Sequence, residues 1–216
     1  MRERLIRWSF FFIGLAILGL GIAMTIKGKA FGIGPWDVFH YGLYTQFGLT
    51  IGTWSIITGF ILLGFTSLYT RKLPKSGALL NMLLLGIFID LFLFILPDPV
   101  SLLSQAIFFL IGLLVLGYGI GVYVASGLGA GPRDGIMLLL VEKTGWRIDW
   151  VRNGIEVTVL LAGWALGGPV GIGSIVIALL LGKVIGYALP QCKWLLAAIL
   201  SYDSNRGTPF VKESSH

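Results

Sequence analysis

Apolar residues in this chain come in long unbroken runs, separated by short polar stretches, with little sign of the polar stripe that a surface helix of a soluble protein carries. Charge-free segments cover Trp8–Ile26, Ile51–Thr70 and Val100–Ser126. Each meets the requirement of about 20 apolar residues for a helix that crosses a bilayer. The pattern predicts long helices over 8–28, 50–70, 76–96, 101–125, 148–167 and 171–190. Two shorter helices, 36–47 and 133–143, rise only about 18 Å, too little to span the hydrocarbon core. They are expected to be re-entrant or to lie at the interface.

The order of these elements is written twice. "FFIGLAILGLGIAM" (Phe11–Met24) matches "FFLIGLLVLGYGIGV" (Phe108–Val122), placing Gly14, Gly19 and Gly21 over Gly112, Gly117 and Gly119. "GIGPWD" then matches "GAGPRD", "TQFGLTI" matches "EKTGWRI", and "LLLGIFID" (Leu83–Asp90) matches "LLLGKVIG" (Leu179–Gly186). The expected organisation is a first repeat over 1–97, a second over 98–200 and a polar cytoplasmic tail over 201–216. "WLLAAIL" before the tail is expected along the membrane interface.

Loop charge sets the expected orientation. Under six crossings the basic segments "MRERLIR", "TRKLPK" and "EKTGWRIDWVR", with Lys193, Arg206 and Lys212, fall on one side. "LPDPVS" and "GGPVG" on the other carry no positive charge, so both termini are read as cytoplasmic. Lys27 and Lys29 are the exceptions. Three crossings per half invert the second repeat relative to the first. The fold class is therefore an all-α membrane protein: six transmembrane helices in two inverted three-helix repeats, each with a short helix after a Gly-x-Gly-Pro-x-Asp turn.

That turn has a physical logic. Gly32, Gly34, Gly129 and Gly131 let the backbone bend after a long helix. Pro35 and Pro132 suit the first helical position, where a missing N–H costs nothing. Asp37 and Asp134 then face the positive end of the helix dipole. This is ordinary helix-start chemistry, and in an inverted repeat it also aims two helix N-termini at one another, as interrupted helices of secondary transporters do. Asp37, His40, Tyr41 and Tyr44 form a polar stripe on the first short helix, while the second carries Arg133.

Charges within the spans cost about 2.5–3.5 kcal/mol each on insertion scales and call for a reason. Glu156 and Lys183 lie at matched depth, which predicts an ion pair between their helices, with Arg152 competing for Glu156. Asp90 has no depth-matched cation and is read as hydrogen-bonded, protonated or near water. Gly117/Gly121, Gly163/Gly167 and Gly182/Gly186 have the spacing for close helix contact.

Composition adds exclusions. The 216 residues are 56% hydrophobic and 12% charged, with a net charge of +6 that orients loops and gives no reason to expect nucleic acid. Cys192 is the single cysteine, which excludes an internal disulfide and cysteine-based metal sites. No metal site, cofactor or enzymatic constellation is expected. "GIGPWD" lacks the strand context of a dinucleotide fingerprint.

The segments "GIGPWDVFHYGLYTQFGLTIGTWSIITG", "LLNMLLLGIFIDLFL" and "GLGAGPRDGIMLLLVEKTGWRIDWVRNGIEV" resemble the bacterial YczE/YitT-type membrane proteins, in the YczE branch. The resemblance implies a multi-pass protein of the bacterial inner membrane, often suspected of transport. The function expected is a secondary transporter or permease for a small solute. Its site would lie between the repeats, with Trp36, Asp37 and His40 on the outer side and Arg133, Asp134 and Glu156 on the inner side. Helix N-termini and Arg133 favour a small anion or zwitterion, whereas paired aspartates suit a cation or proton as substrate or coupling ion. The alternative is a non-transporting scaffold or regulatory partner. The small size suggests a homodimer in the bilayer.

Overall fold

The protein is described by a computed structural model for residues 2–71, 73–74, 76–129 and 131–206, the side chains of residues 134 and 202–206 excepted. All regular structure among the described residues is helical. Helix α1 (Arg2–Lys27) is followed by a single 3-10 turn (Lys29–Phe31), α2 (Pro35–Phe47), α3 (Ile51–Thr70) and α4 (Ser76–Ile95). The order then recurs as α5 (Leu102–Ala125), α6 (Pro132–Thr144), α7 (Ile148–Ala165) and α8 (Ile172–Arg206). The expected boundaries agree to within a few residues except at the two ends of the chain, α1 starting at Arg2 instead of residue 8. At the other end "WLLAAIL" and the first tail residues continue α8 through Pro190 as one helix, instead of forming a separate interfacial segment and an irregular tail. Proline removes one backbone donor, a loss that apolar helices tolerate. The tail from residue 207 onward lies outside the described residues.

Among the described residues five helices are long and apolar enough to cross a membrane: α1, α3, α4, α5 and the stretch Ile172–Ser201 of α8. The predicted sixth, α7, has 18 residues and carries Asp149, Arg152 and Glu156. Its length of about 27 Å approaches the core thickness, but its charge sets it apart from the other five.

The centre of the molecule is the crossing of α1 and α5, held by glycines where the two backbones meet. A Cβ on Gly14 would fall 2.3 Å from the backbone N of Tyr123, and one on Gly21 would fall 2.4 Å from that of Leu116. These contacts run in opposite order along the two helices, so α1 and α5 are antiparallel. Their counterparts under the sequence repeat pair in the same way. Gly112 lies against Met24 and Thr25, and Gly119 against Leu18. Gly19 packs on Phe88 of α4, and its counterpart Gly117 packs on Val184 of α8. Phe11, Leu15, Leu18, Ile22 and Leu116 close the seam, joined by Ile33, Val38 and Ile89.

The outer elements exchange partners between halves. Helix α2 packs on α7 and α6 packs on α3. The turn before each short helix rests on the other half: a Cβ on Gly173 would meet the Phe31 carbonyl, and one on Gly77 the Leu128 carbonyl. One pairing breaks the pattern. Helix α3 seats on α4 through Gly52 and Gly86, but α7 makes its close contacts with α2 and α6, and Gly182 and Gly186 of α8 have nothing within 4 Å. The close helix contact expected at Gly182/Gly186 is therefore absent from this arrangement. At Gly117/Gly121 the contact is made with α8, and at Gly163 it is made with α2.

Candidate functional site

Each short helix starts inside and ends outside. In α2, Asp37, Val38, His40 and Gly42 are buried and residues 44–47 are exposed. In α6, Gly131 and Pro132 are buried and residues 142–144 are exposed. The local chemistry follows the sequence expectation. Gly32 sits at φ +92°, where a side chain is strained and a Cβ would lie 2.4 Å from the Gly171 backbone N. Gly34 is the N-cap and Pro35 opens the helix. Gly34 lies against Ile177, on the second turn of α8, so the chain has already turned back into the protein before α2 begins.

The result is a meeting of the two motifs. The guanidinium carbon of Arg133 lies 4.7 Å from the centre of the Trp36 ring, a cation–π contact between halves. Trp36 and Arg133 are the same variable position of Gly-x-Gly-Pro-x-Asp. The two glycine-proline turns therefore meet at this contact.

Beside it lie two buried polar side chains. Asp37 is 6% exposed and His40 1% exposed. Asp37 Oδ1 and both His40 ring nitrogens have no hydrogen-bond partner among the described residues. Each such atom costs about 1–3 kcal/mol relative to a satisfied one. His40 is edged by Trp36 and Phe39, with ring centres at 6.4 and 6.0 Å. The expected stripe therefore divides. Asp37 and His40 face inward, whereas Tyr41 accepts a hydrogen bond from Lys29 and Tyr44 is exposed. The Asp134 side chain lies outside the described residues.

The remaining candidates are elsewhere. Glu156 accepts from Arg152 Nε at 3.1 Å on its own helix, and Lys183 is exposed on α8 with no ion pair among the described residues. The expected Glu156–Lys183 pair is not formed, because α7 packs on α2 and α6 while α8 packs on α5. Asp90 resolves to the first of its three readings: it is hydrogen-bonded. Its Oδ1 accepts from the Gly52 N–H at 2.8 Å and its Oδ2 from the Thr50 hydroxyl, so it supplements the N-cap of α3 from α4. The two exceptional lysines also have partners. Lys27 Nζ donates to Asp98 Oδ1 at 2.6 Å, and this bond holds the Asp98 carboxyl below the usual carboxylate range. Among the described residues no cluster of three or more His, Cys, Asp or Glu side chains could hold a metal ion.

The Trp36–Arg133 contact was the element that sequence reasoning missed. The signal available in the sequence was that the repeated motif equates the two positions.

Comparison with known proteins bears on the family. Residues 5–190 match a family of unknown function, DUF6198. The chain is 53% identical to a Bacillus subtilis protein described as "Uncharacterized membrane protein YczE", over 99% of this chain and 97% of that protein. It is 36% identical to an uncharacterized Haemophilus influenzae protein, over 84% and 82% of the two chains. It is 32% identical to the Bacillus subtilis protein YyaS, over 85% and 92%. No solved structure matches it. The matched residues span both copies of the glycine-proline turn and every helix described above except the end of α8, and the chain belongs to the DUF6198 family of YczE-type membrane proteins.

Proposed function

We propose that the protein is a six-crossing transporter or permease for a small anionic or zwitterionic solute, built from two inverted repeats, with α7 as the sixth span and both termini cytoplasmic. The observation that carries this reading is the convergence of the two turns: Trp36 meets Arg133 at the junction of the halves, beside buried, unpartnered atoms of Asp37 and His40. A scaffold has no use for such atoms, since an apolar residue there would be more stable. A solute passage needs polar groups at mid-depth that exchange partners. The antiparallel α1–α5 seam and the reciprocal glycine contacts support inversion, because a twofold axis across an antiparallel pair turns one half upside down relative to the other. Arg133 and the positive ends of α2 and α6 disfavour cations and draw a negative group towards the junction.

The test is solute entry into proteoliposomes, followed by light scattering after an osmotic step with formate, acetate, glycine or urea. Faster reswelling than protein-free vesicles with formate, acetate or glycine, abolished by Arg133→Gln and by His40→Phe, is the expected result. Reswelling equal to that of empty vesicles for every solute would favour the scaffold.

A further inference from the structure

The repeat makes each contact in one half a statement about the other, and one contact is unmatched. In the first half, α3 seats on α4. A Cβ on Gly52 would lie 2.0 Å from the Gly86 carbonyl, and Asp90 closes the junction by accepting from Gly52 and Thr50. The sequence repeat equates Gly86 with Gly182, Asp90 with Gly186 and Thr50 with Arg147. The second-half surface that corresponds to the seat is thus the α8 face at Gly182 and Gly186, where nothing lies within 4 Å.

The two outer helices differ in the opposite sense at their other contact. Helix α7 is locked to α2: a Cβ on Gly163 would lie 2.5 Å from the Phe39 backbone N, and one on Gly42 2.7 Å from the Gly163 carbonyl. The equivalent α3–α6 contact is loose, with Gly135 and Thr66 at an ordinary 3.7 Å. So α3 is tight on α4 and loose on α6, while α7 is tight on α2 and has no glycine seat on α8. There is also room around α7. A groove of about 400 Å³ lies between the end of α6 and the start of α7, lined by Leu140, Trp146, Trp150, Ile155 and Thr158. In the first half the equivalent corner is filled by Phe47 against Trp54.

We infer that α7 has a second seat on α8, at Gly182 and Gly186, in which the second half takes the arrangement now seen in the first. Two sequences of nearly the same pattern, held in two packings within one molecule, are the ingredients of alternating access by exchange of repeat conformations. The move releases α2 from Gly163 and uncovers the buried Asp37 and His40 side chains, while α3 tightens on α6. It also carries Glu156 beside Ala178, the counterpart of the Gly59–Met82 contact, and gives the exposed Lys183 a carboxylate within reach. The inference rests on the transporter reading for its purpose but not for its geometry.

The test is cysteine cross-linking in membranes, in a Cys192→Ser background. The reference pair is Thr50→Cys with Asp90→Cys, which are in contact here. The query pair is its counterpart, Arg147→Cys with Gly186→Cys. Both pairs cross-linking with a short bifunctional thiol reagent supports the second seat. The query signal is then expected to fall at least several-fold on Glu156→Lys and to recover when Lys183→Glu is added. A reference pair that links while the query pair does not would overturn the inference, as would a query signal indifferent to both charge changes. Because the readout is proximity, a query pair that links in a protein moving no solute would support the second seat and sink the transport reading alone.

Discussion

The two short helices share a motif, a length and a position in their halves, yet their surroundings differ. Helix α2 is close-packed beyond its half-buried Pro35 and Trp36, with the backbone of Val38 and Phe39 against Gly163 and Gly168, and Gly42 against the Gly163 carbonyl. Helix α6 begins with Pro132 buried but with Arg133, Gly135, Ile136 and Met137 only partly covered. The same turn chemistry thus serves two degrees of closure. What differs is the outer helix each short helix leans on, and whether that helix also has a seat on its own half. The difference teaches that the local sequence fixes the turn, while glycine contacts between halves decide how tightly it is sealed.

The largest effect should come from filling the tight contact. Gly163→Ala places a methyl 2.5 Å from backbone, where neither side can yield, and overpacking of this kind costs about 1–3 kcal/mol or more. Gly135→Ala, at the equivalent loose contact, meets only Thr66 at 3.7 Å and should stabilise α6 by about 0.5–1 kcal/mol through helix propensity. Thermal unfolding of the two purified variants should therefore shift in opposite directions. Shifts of the same sign would break the comparison.

Next in size is the α3 cap. Asp90→Asn keeps the shape but weakens a charged acceptor that serves both Gly52 and Thr50, and should cost about 1–2 kcal/mol. Asp149→Asn, in the half without a seat, should be close to neutral because Asp149 is exposed and paired only with Arg147. Hydrogen exchange at the start of α3 and of α7 would report each effect locally.

A third prediction separates structure from function at the junction. His40→Phe removes two unpartnered nitrogens and keeps an aromatic ring among Trp36 and Phe39. It should leave stability unchanged or raise it by about 1 kcal/mol while abolishing solute entry. A clear loss of stability would show that His40 has a structural partner.

Smallest is the Lys27–Asp98 bridge. Asp98 is exposed, and its bond to Lys27 holds its carboxyl below the usual carboxylate range, so its contribution is present at neutral pH and is lost only in acid, as the pH falls through that lowered value. Lys27→Gln should lower stability slightly at neutral pH and not at all in acid, so the two pH–stability curves converge as the pH falls.

Much of this was legible in the chain. Long charge-free runs gave the helices, and the glycine register gave the order of the repeats, because backbone crossings leave no choice of residue. The site was partly legible: spacing alone put Asp37 and His40 on one face, although it put Tyr41 and Tyr44 there as well. Three expectations failed for physical reasons. Matched depth placed Glu156 and Lys183 at one level but said nothing about whether α7 and α8 are neighbours. Small-residue spacing at Gly182 and Gly186 shows that a helix can approach, not that one does. The helix expected over 171–190 runs on through Pro190, because the loss of one backbone donor does not stop a helix this apolar.

The claim beneath the whole account is that the second half is inverted, and it can be tested with two residues. Phe47 and Thr144 end the two short helices at equivalent, exposed positions. In a Cys192→Ser background, Phe47→Cys and Thr144→Cys would each be treated with a membrane-impermeant maleimide in intact cells and in inside-out vesicles. The account predicts that Phe47→Cys labels only in cells and Thr144→Cys only in inverted vesicles. Labelling of both from the same side would contradict the inverted repeat, and with it the passage proposed between the halves.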